Sequence, residues 1–153
     1  VRVAMSDTKI RFSFDGAVLT SKLIDGTFPD YDRVIPAGND KVLEVDTKSF
    51  SDAVDRVSAI STEKSRAIKL VLSSGNLLLS ASSAENDSAV EELSVEYTSE
   101  EMEIGFNSRY LLDIAQQIDG DTAKLTLADS ASPTLVQDSS DGSALYVLMP
   151  MRV

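Results

Sequence analysis

The sequence predicts an α+β protein: a β-α-β-β-β unit present twice, with two helices packed on antiparallel sheets. Three observations carry this. Apolar residues alternate with a period of two along most of the chain, two stretches switch to helical spacing, and the order of strands around the first helix recurs around the second. The chain has 153 residues, of which 42% are hydrophobic and 25% charged. That is the composition of a globular protein of one or two domains, and a chain of this length buries about 70% of its unfolded surface.

Residues 1–5, 9–14 and 17–23 read as three strands. The second and third meet at Asp15-Gly16, a dipeptide that accepts positive φ in a tight hairpin turn. A loop through Phe28-Pro29-Asp30-Tyr31 leads to Arg33-Val34-Ile35-Pro36. Residues 37–40 are the expected linker between a first segment, 1–36, and a second, 41–153, because a Pro/Gly/Asn cluster coincides with a shift in charge. A strand at 41–45 runs into a helix marked by Phe50, Ala53, Val54, Val57 and Ile60, one apolar stripe. Strands at 67–72, 77–81 and 89–97 follow, the first two joined through Ser73-Ser74-Gly75-Asn76. The order then repeats. A strand at 102–106 precedes a second helix marked by Tyr110, Leu111, Ile114, Gln117 and Ile118, with Gly120 as its stop signal. Strands at 123–127, 134–137 and 144–149 close the chain, the last pair turning through Asp141-Gly142. Leu43-Glu44-Val45 aligns with Met102-Glu103-Ile104 at an offset of 59, and Phe50 with Tyr110 at 60.

Charge and composition narrow the chemistry. The 14 basic side chains face 25 acidic ones, a net charge of −11, and all of the excess lies after residue 36. Glu85, Asp87, Glu91, Glu92, Glu96, Glu100, Glu101 and Glu103 follow one another with no Lys or Arg between them, which argues against a phosphate-gripping surface there. The chain has no Cys and no His, which removes thiolate metal sites, disulfides and His-based triads. Asp119-Gly120-Asp121 lacks the further ligands of a calcium loop and reads as a turn. No serine sits in a nucleophile motif, and no Gly-rich phosphate loop is present. The expectation is a protein without catalytic residues, metal or cofactor. A carboxylate metalloenzyme using Asp119 and Asp121 is the weakest alternative.

No run of about 18 apolar residues exists, so no membrane-spanning helix is expected. The lack of a signal-peptide pattern and of cysteine points to the cytoplasm. The chain opens on VRVAMSDTKI, already alternating, as expected of a piece of a longer protein.

Two apolar segments stand out. The chain ends Tyr146-Val147-Leu148-Met149-Pro150-Met151-Arg152-Val153, where a terminus is ordinarily polar and frayed. The loop Phe28-Pro29-Asp30-Tyr31-Asp32-Arg33-Val34 has the same apolar character with an Arg. Either could end or connect strands, or could present an adaptable apolar surface to a partner peptide.

These segments carry a resemblance. SKLIDGTFPDYDRVIP at 21–36, MEIGFNSRYLLD at 102–113 and YVLMPMRV at 146–153 resemble the bacterial DNA polymerase III beta subunits, the sliding clamps. The similarity extends over essentially the whole chain. It implies the DNA clamp fold, with residues 1–36 as the last part of a middle domain and 41–153 as a complete third domain. It also implies a replication processivity factor: two subunits join head to tail in a ring around duplex DNA, helices lining the hole. Polymerase III, repair proteins and the clamp loader are the implied partners, docking by Gln-Leu-x-Leu-Phe-like peptides.

Transferred by position, the resemblance places Pro29, Arg33, Val34, Asn107, Tyr110, Ala131, Pro133, Val147, Leu148, Met149, Pro150, Met151 and Arg152 in the peptide pocket. Pro133 stands where many relatives have a small polar residue. Lys48 and Arg56 on the first helix are the implied DNA-channel residues, and Ala59, Ile60, Glu85, Asp87 and Glu91 the implied subunit interface. Without a first domain, this fragment is not expected to close a ring. A free-standing acidic peptide-binding module, unconnected with replication, is the alternative function.

Overall fold

A computed structural model describes residues 1–28, 30–61, 66–83 and 87–153, so Pro29 and Glu85 lie outside the described residues. The chain divides into two compact units, Val1–Tyr31 and Asp32–Val153.

The first unit is an antiparallel meander of β1 (Arg2–Met5), β2 (Lys9–Phe14) and β3 (Ala17–Lys22). Its turn is the expected one: Asp15 and Gly16 take φ of 31° and 79°, the paired positive values that match the twist of a two-residue hairpin. No described residue of this unit is buried, and Val3, Met5, Val18 and Leu19 are exposed.

The second unit holds the core. In order come β4 (Lys41–Asp46), α1 (Thr47–Ser58), β5 (Ala67–Ser73), β6 (Asn76–Ser82), β7 (Ser88–Ser94), β8 (Glu96–Tyr97), β9 (Met102–Asn107), α2 (Ser108–Ala115), β10 (Thr122–Leu127), β11 (Thr134–Asp138) and β12 (Tyr146–Leu148). One sheet runs β12-β11-β10-β4-β8 and the other β7-β6-β5-β9. Each repeat therefore lends its first strand to the other. β4 pairs with β10 (Leu43 opposite Leu125), and β9 pairs with β5 (Ile104 opposite Leu70). The alternation read in the sequence is the burial pattern: Leu43 and Val45, Ile68, Leu70 and Leu72, and Ala123, Leu125 and Leu127 all point into one core with both helices. No described helix is long and apolar enough to cross a membrane.

The repeat is real, but its offset is 61 residues, not 59 or 60. Asp46 and Asn107 are the helix N-caps, their side chains accepting from Ser49 N at 2.7 Å and Arg109 N at 3.0 Å. The next residues, Thr47 and Ser108, are both buried, and their N–H groups donate to Asp121 O and Arg66 O, each at 2.8 Å. Phe50 thus corresponds to the buried Leu111, and Tyr110 is left on the exposed side. The likeness of Leu43-Glu44-Val45 to Met102-Glu103-Ile104 is a weaker guide to register than the caps.

Three other boundaries differ from expectation. Residues 89–97 are two strands in two sheets: Val95 N donates to Gly75 O and Gly75 N to Tyr97 O, so the chain crosses over the β5–β6 turn. The buried Tyr97 ring then anchors β8 beside Leu43. α2 ends at Ala115, and Gln117 and Ile118 follow in tight turns, their N–H groups donating to Ile114 O and Ala115 O. Gly120 does not cap it. Its N–H donates to Asp138 Oδ2 at 2.7 Å, and a Cβ there would lie 2.5 Å from Asp138 Oδ1. Finally, the division between units falls after Tyr31. Within residues 37–40, Asn39 Nδ2 donates to Thr126 O and Pro133 O, and Asp40 N to Leu127 O, fastening this segment to the second unit.

Candidate functional site

The chain's end is folded back into the structure. After β12, Met151 N donates to Gly105 O at 2.9 Å, forming an isolated antiparallel bridge with β9. Gly105 is required in the middle of that strand, because a Cβ would come within 2.5 Å of Met151 O and would collide with the Val153 side chain. The tail is thereby held alongside α2, which β9 also positions through the Asn107 cap.

Between α2 and the β12 segment lies an open groove with a cavity volume of about 520 Å³. Tyr110, Asp113 and Ile114 form its helix side and residues 145–149 its strand side. The walls are mostly apolar: Tyr110, Leu145 and Met149 are exposed large side chains, while Leu148 is buried. A concave apolar surface with few polar groups suits the apolar side chains of an extended segment.

Of the thirteen residues implied for the peptide pocket, Tyr110, Val147, Leu148 and Met149 line this groove. Pro133 immediately precedes β11, whose Thr134 pairs with Leu148, so it sits at the groove's strand edge, and its carbonyl is occupied by Asn39. Ala131 is exposed in the loop before it, its N–H donating to Asp129 Oδ1. Asn107 is committed to capping α2. Pro150 and Met151 are half-buried and Arg152 is exposed, beyond the groove. Arg33, at the end of a 3₁₀ turn (Tyr31–Arg33), and the exposed Val34 are not among the lining residues. Pro29 lies outside the described residues.

Sequence reasoning left Asp113, Ile114, Leu145 and Tyr146 out of the site. The signal for two of them was available, since positions three and four after Tyr110 share its helix face.

The implied DNA-channel residues are both in ion pairs. Lys48 Nζ lies 2.5 Å from Asp52 Oδ2, one turn along α1. Arg56 is held by Glu91 of β7 through two contacts, one of them Nε to Oε2 at 3.0 Å. The hydrogen bond from Arg56 holds the Glu91 carboxyl below its ordinary pKa, and the same bond raises that of Arg56. Among the implied interface residues, Ala59 caps α1, Ile60 packs against the core, and Asp87 is exposed with its N–H bonded to Ser83 Oγ. Glu85 lies outside the described residues. Among the described residues no three His, Cys, Asp or Glu are grouped to hold a metal ion.

Residues 32–152 match the family model described as DNA polymerase III beta subunit, C-terminal domain. Over all 153 residues the chain is 53% identical to the beta sliding clamp of Caulobacter vibrioides and 39% identical to that of Escherichia coli K12. It covers 41% and 42% of those proteins, about two fifths of their length. It is also similar to the solved structure of a sliding clamp (DNA polymerase III subunit beta) from Bartonella birtlesii bound to griselimycin. That match has a TM-score of 0.91 and 53% identity, covering 99% of this chain and 41% of the other. The DNA polymerase III subunit beta from Pseudomonas aeruginosa gives a TM-score of 0.90 at 41% identity, covering 98% of this chain and 41% of that one.

Proposed function

Because the chain belongs to the DNA polymerase III beta subunit family, with that family's C-terminal domain at residues 32–152, we propose that it serves a replication processivity factor. In this reading the whole protein is a ring-shaped sliding clamp that encircles duplex DNA in the cytoplasm and tethers polymerase and repair proteins. It works without catalysis, by enclosure. The net charge of −11 supports sliding over gripping, since a ring that bound phosphates tightly would not move along them. The residues before the family match belong to a middle domain and those from 32 onward to the third, and the clamp loader and a head-to-tail second subunit are further partners.

The observation that carries the reading is the groove between α2 and β12. Its apolar walls match the Leu and Phe side chains of a Gln-Leu-x-Leu-Phe-like peptide, and exposed aromatic and Met side chains such as Tyr110 and Met149 are common anchors in such sites. Arg33, Val34, Pro133 and the tail from Pro150 to Arg152 extend the contact surface.

A fluorescent Gln-Leu-x-Leu-Phe peptide titrated into the chain tests this, with the peptide lacking its final Leu-Phe as control. Saturable binding lost in the control, and weakened by Met149→Ala, is expected. Equal binding of both peptides refutes the clamp-type groove and favours an unrelated peptide-binding module.

A further inference from the structure

We infer that the groove selects peptide segments carrying a lysine or arginine beside their apolar anchors, with Asp113 as the selecting group. The inference rests on reading the groove as the partner-peptide site.

Among the described residues lining the groove, Asp113 is the one that is charged. It is exposed, and its carboxylate takes part in no hydrogen bond or ion pair among the described residues. Several carboxylates of this unit are engaged, as where Asp46 caps α1, Asp52 and Glu91 pair with cations, and Asp129 and Asp138 hold serine and backbone donors; of the others, Asp113 is the one set against the groove. Arg109, one turn before Asp113, forms no ion pair with it, and an Arg placed N-terminal to an acid is the weaker order on a helix. A free anion at the edge of an apolar groove favours a ligand that brings a cation to it and disfavours one that brings a carboxylate.

Two further features point the same way. Tyr110 and Tyr146 line the same groove, and aromatic faces attract ammonium and guanidinium groups. A neighbouring hollow shares Tyr146 and is lined by Asp119, Asp138 and Asp141, so the potential around this end of the groove is negative. The occupant that fits is therefore an extended apolar segment with a basic side chain, not an acidic one.

The test uses the whole chain and a peptide series built on Gln-Leu-x-Leu-Phe, with Lys or Glu placed in turn at the variable position and at each flank. At one of these positions the Lys peptide is expected to bind about three- to fivefold more tightly than its Glu counterpart, the range of an exposed ion pair. The advantage disappears in Asp113→Asn and shrinks in high salt. Equal affinities at every position, with both peptides binding, overturn the selection while leaving the groove as a peptide site. A Lys advantage that survives in Asp113→Asn overturns the role of Asp113. Failure of every peptide to bind overturns the groove reading and this inference with it.

Discussion

Arg56 on α1 reaches across to Glu91 on β7, 35 positions later in the chain, and grips both of its carboxylate oxygens. This one contact joins two residues for which the family resemblance implies different surfaces, a DNA channel and a subunit interface. It also neutralises one of the few cations of a strongly acidic chain. A cation already satisfied by a neighbouring acid offers little to a phosphate.

The consequence is testable. Glu91→Gln releases the Arg56 guanidinium and is expected to raise weak, non-specific affinity for duplex DNA at low ionic strength. One added phosphate contact steepens the dependence of log affinity on log salt by about 1. Adding Arg56→Ala in the same background should return both quantities to the parent values. Duplex binding measured by anisotropy across a salt series decides it, and an unchanged slope in Glu91→Gln removes Arg56 from any DNA-facing role.

Much of the fold was legible because burial follows simple periods. Ile68, Leu70 and Leu72 alternate in one strand, and Phe50, Ala53, Val54 and Val57 share one helix stripe, so both elements announce themselves. What failed depended on contacts distant in sequence. Nothing local says that Val95 crosses from one sheet to the other, because the reason is Gly75 twenty residues earlier. Nothing local says that Gly120 serves Asp138 instead of capping α2. The groove was half legible for the same reason. Tyr110 and residues 147–149 came from a recognised motif, while the placing of Asp113 and Ile114 against residues 145–149 depends on a contact between α2 and a segment far along the chain.

Gly105 makes a sharper test of the tail. A methyl group at this position meets Met151 O and the Val153 side chain, so Gly105→Ala is expected to cost about 1–3 kcal/mol, the usual range for overpacking. The strand itself tolerates alanine. The penalty should therefore vanish when residues 151–153 are deleted from both parent and variant. Paired denaturant melts of the four proteins measure this, and an undiminished penalty after truncation means the strain lies in β9 itself.

Acid stability offers a separate handle. Asp138 accepts from Ser140 Oγ and Ser140 N at 2.7 and 2.8 Å and from Gly120 N at 2.7 Å, and these bonds hold its carboxyl below the ordinary pKa. With the folded pKa lower than the unfolded one, the stabilisation is full above the ordinary carboxylate range. It is lost as pH falls through that range toward the lowered value. Asp46, Asp129 and Glu91 are shifted in the same direction and add to the same acid limb. Asp138→Asn should therefore lower the melting temperature at neutral pH, and its melting curve should converge on the parent's as pH falls below the ordinary carboxylate range. A constant difference from neutral pH to below that range contradicts the linkage.

Thr134 gives a prediction of the opposite sign. It opens β11 opposite Leu148, fully buried, and its Oγ1 has no hydrogen-bond partner among the described residues. A hydroxyl shut away from water without a partner costs free energy that an apolar group of the same shape does not. Thr134→Val keeps the β-branched shape and the backbone pairing with Leu148, so the valine methyl occupies the space of the hydroxyl. The variant is expected to be more stable than the parent by about 1 kcal/mol. Thr134→Ala separates the two contributions: it removes the same hydroxyl but opens a cavity, and should lose most or all of the gain. Urea melts of the three proteins suffice. A Thr134→Val protein less stable than the parent would mean that the hydroxyl is hydrogen-bonded in solution, and that the start of β11 is arranged differently beside the groove.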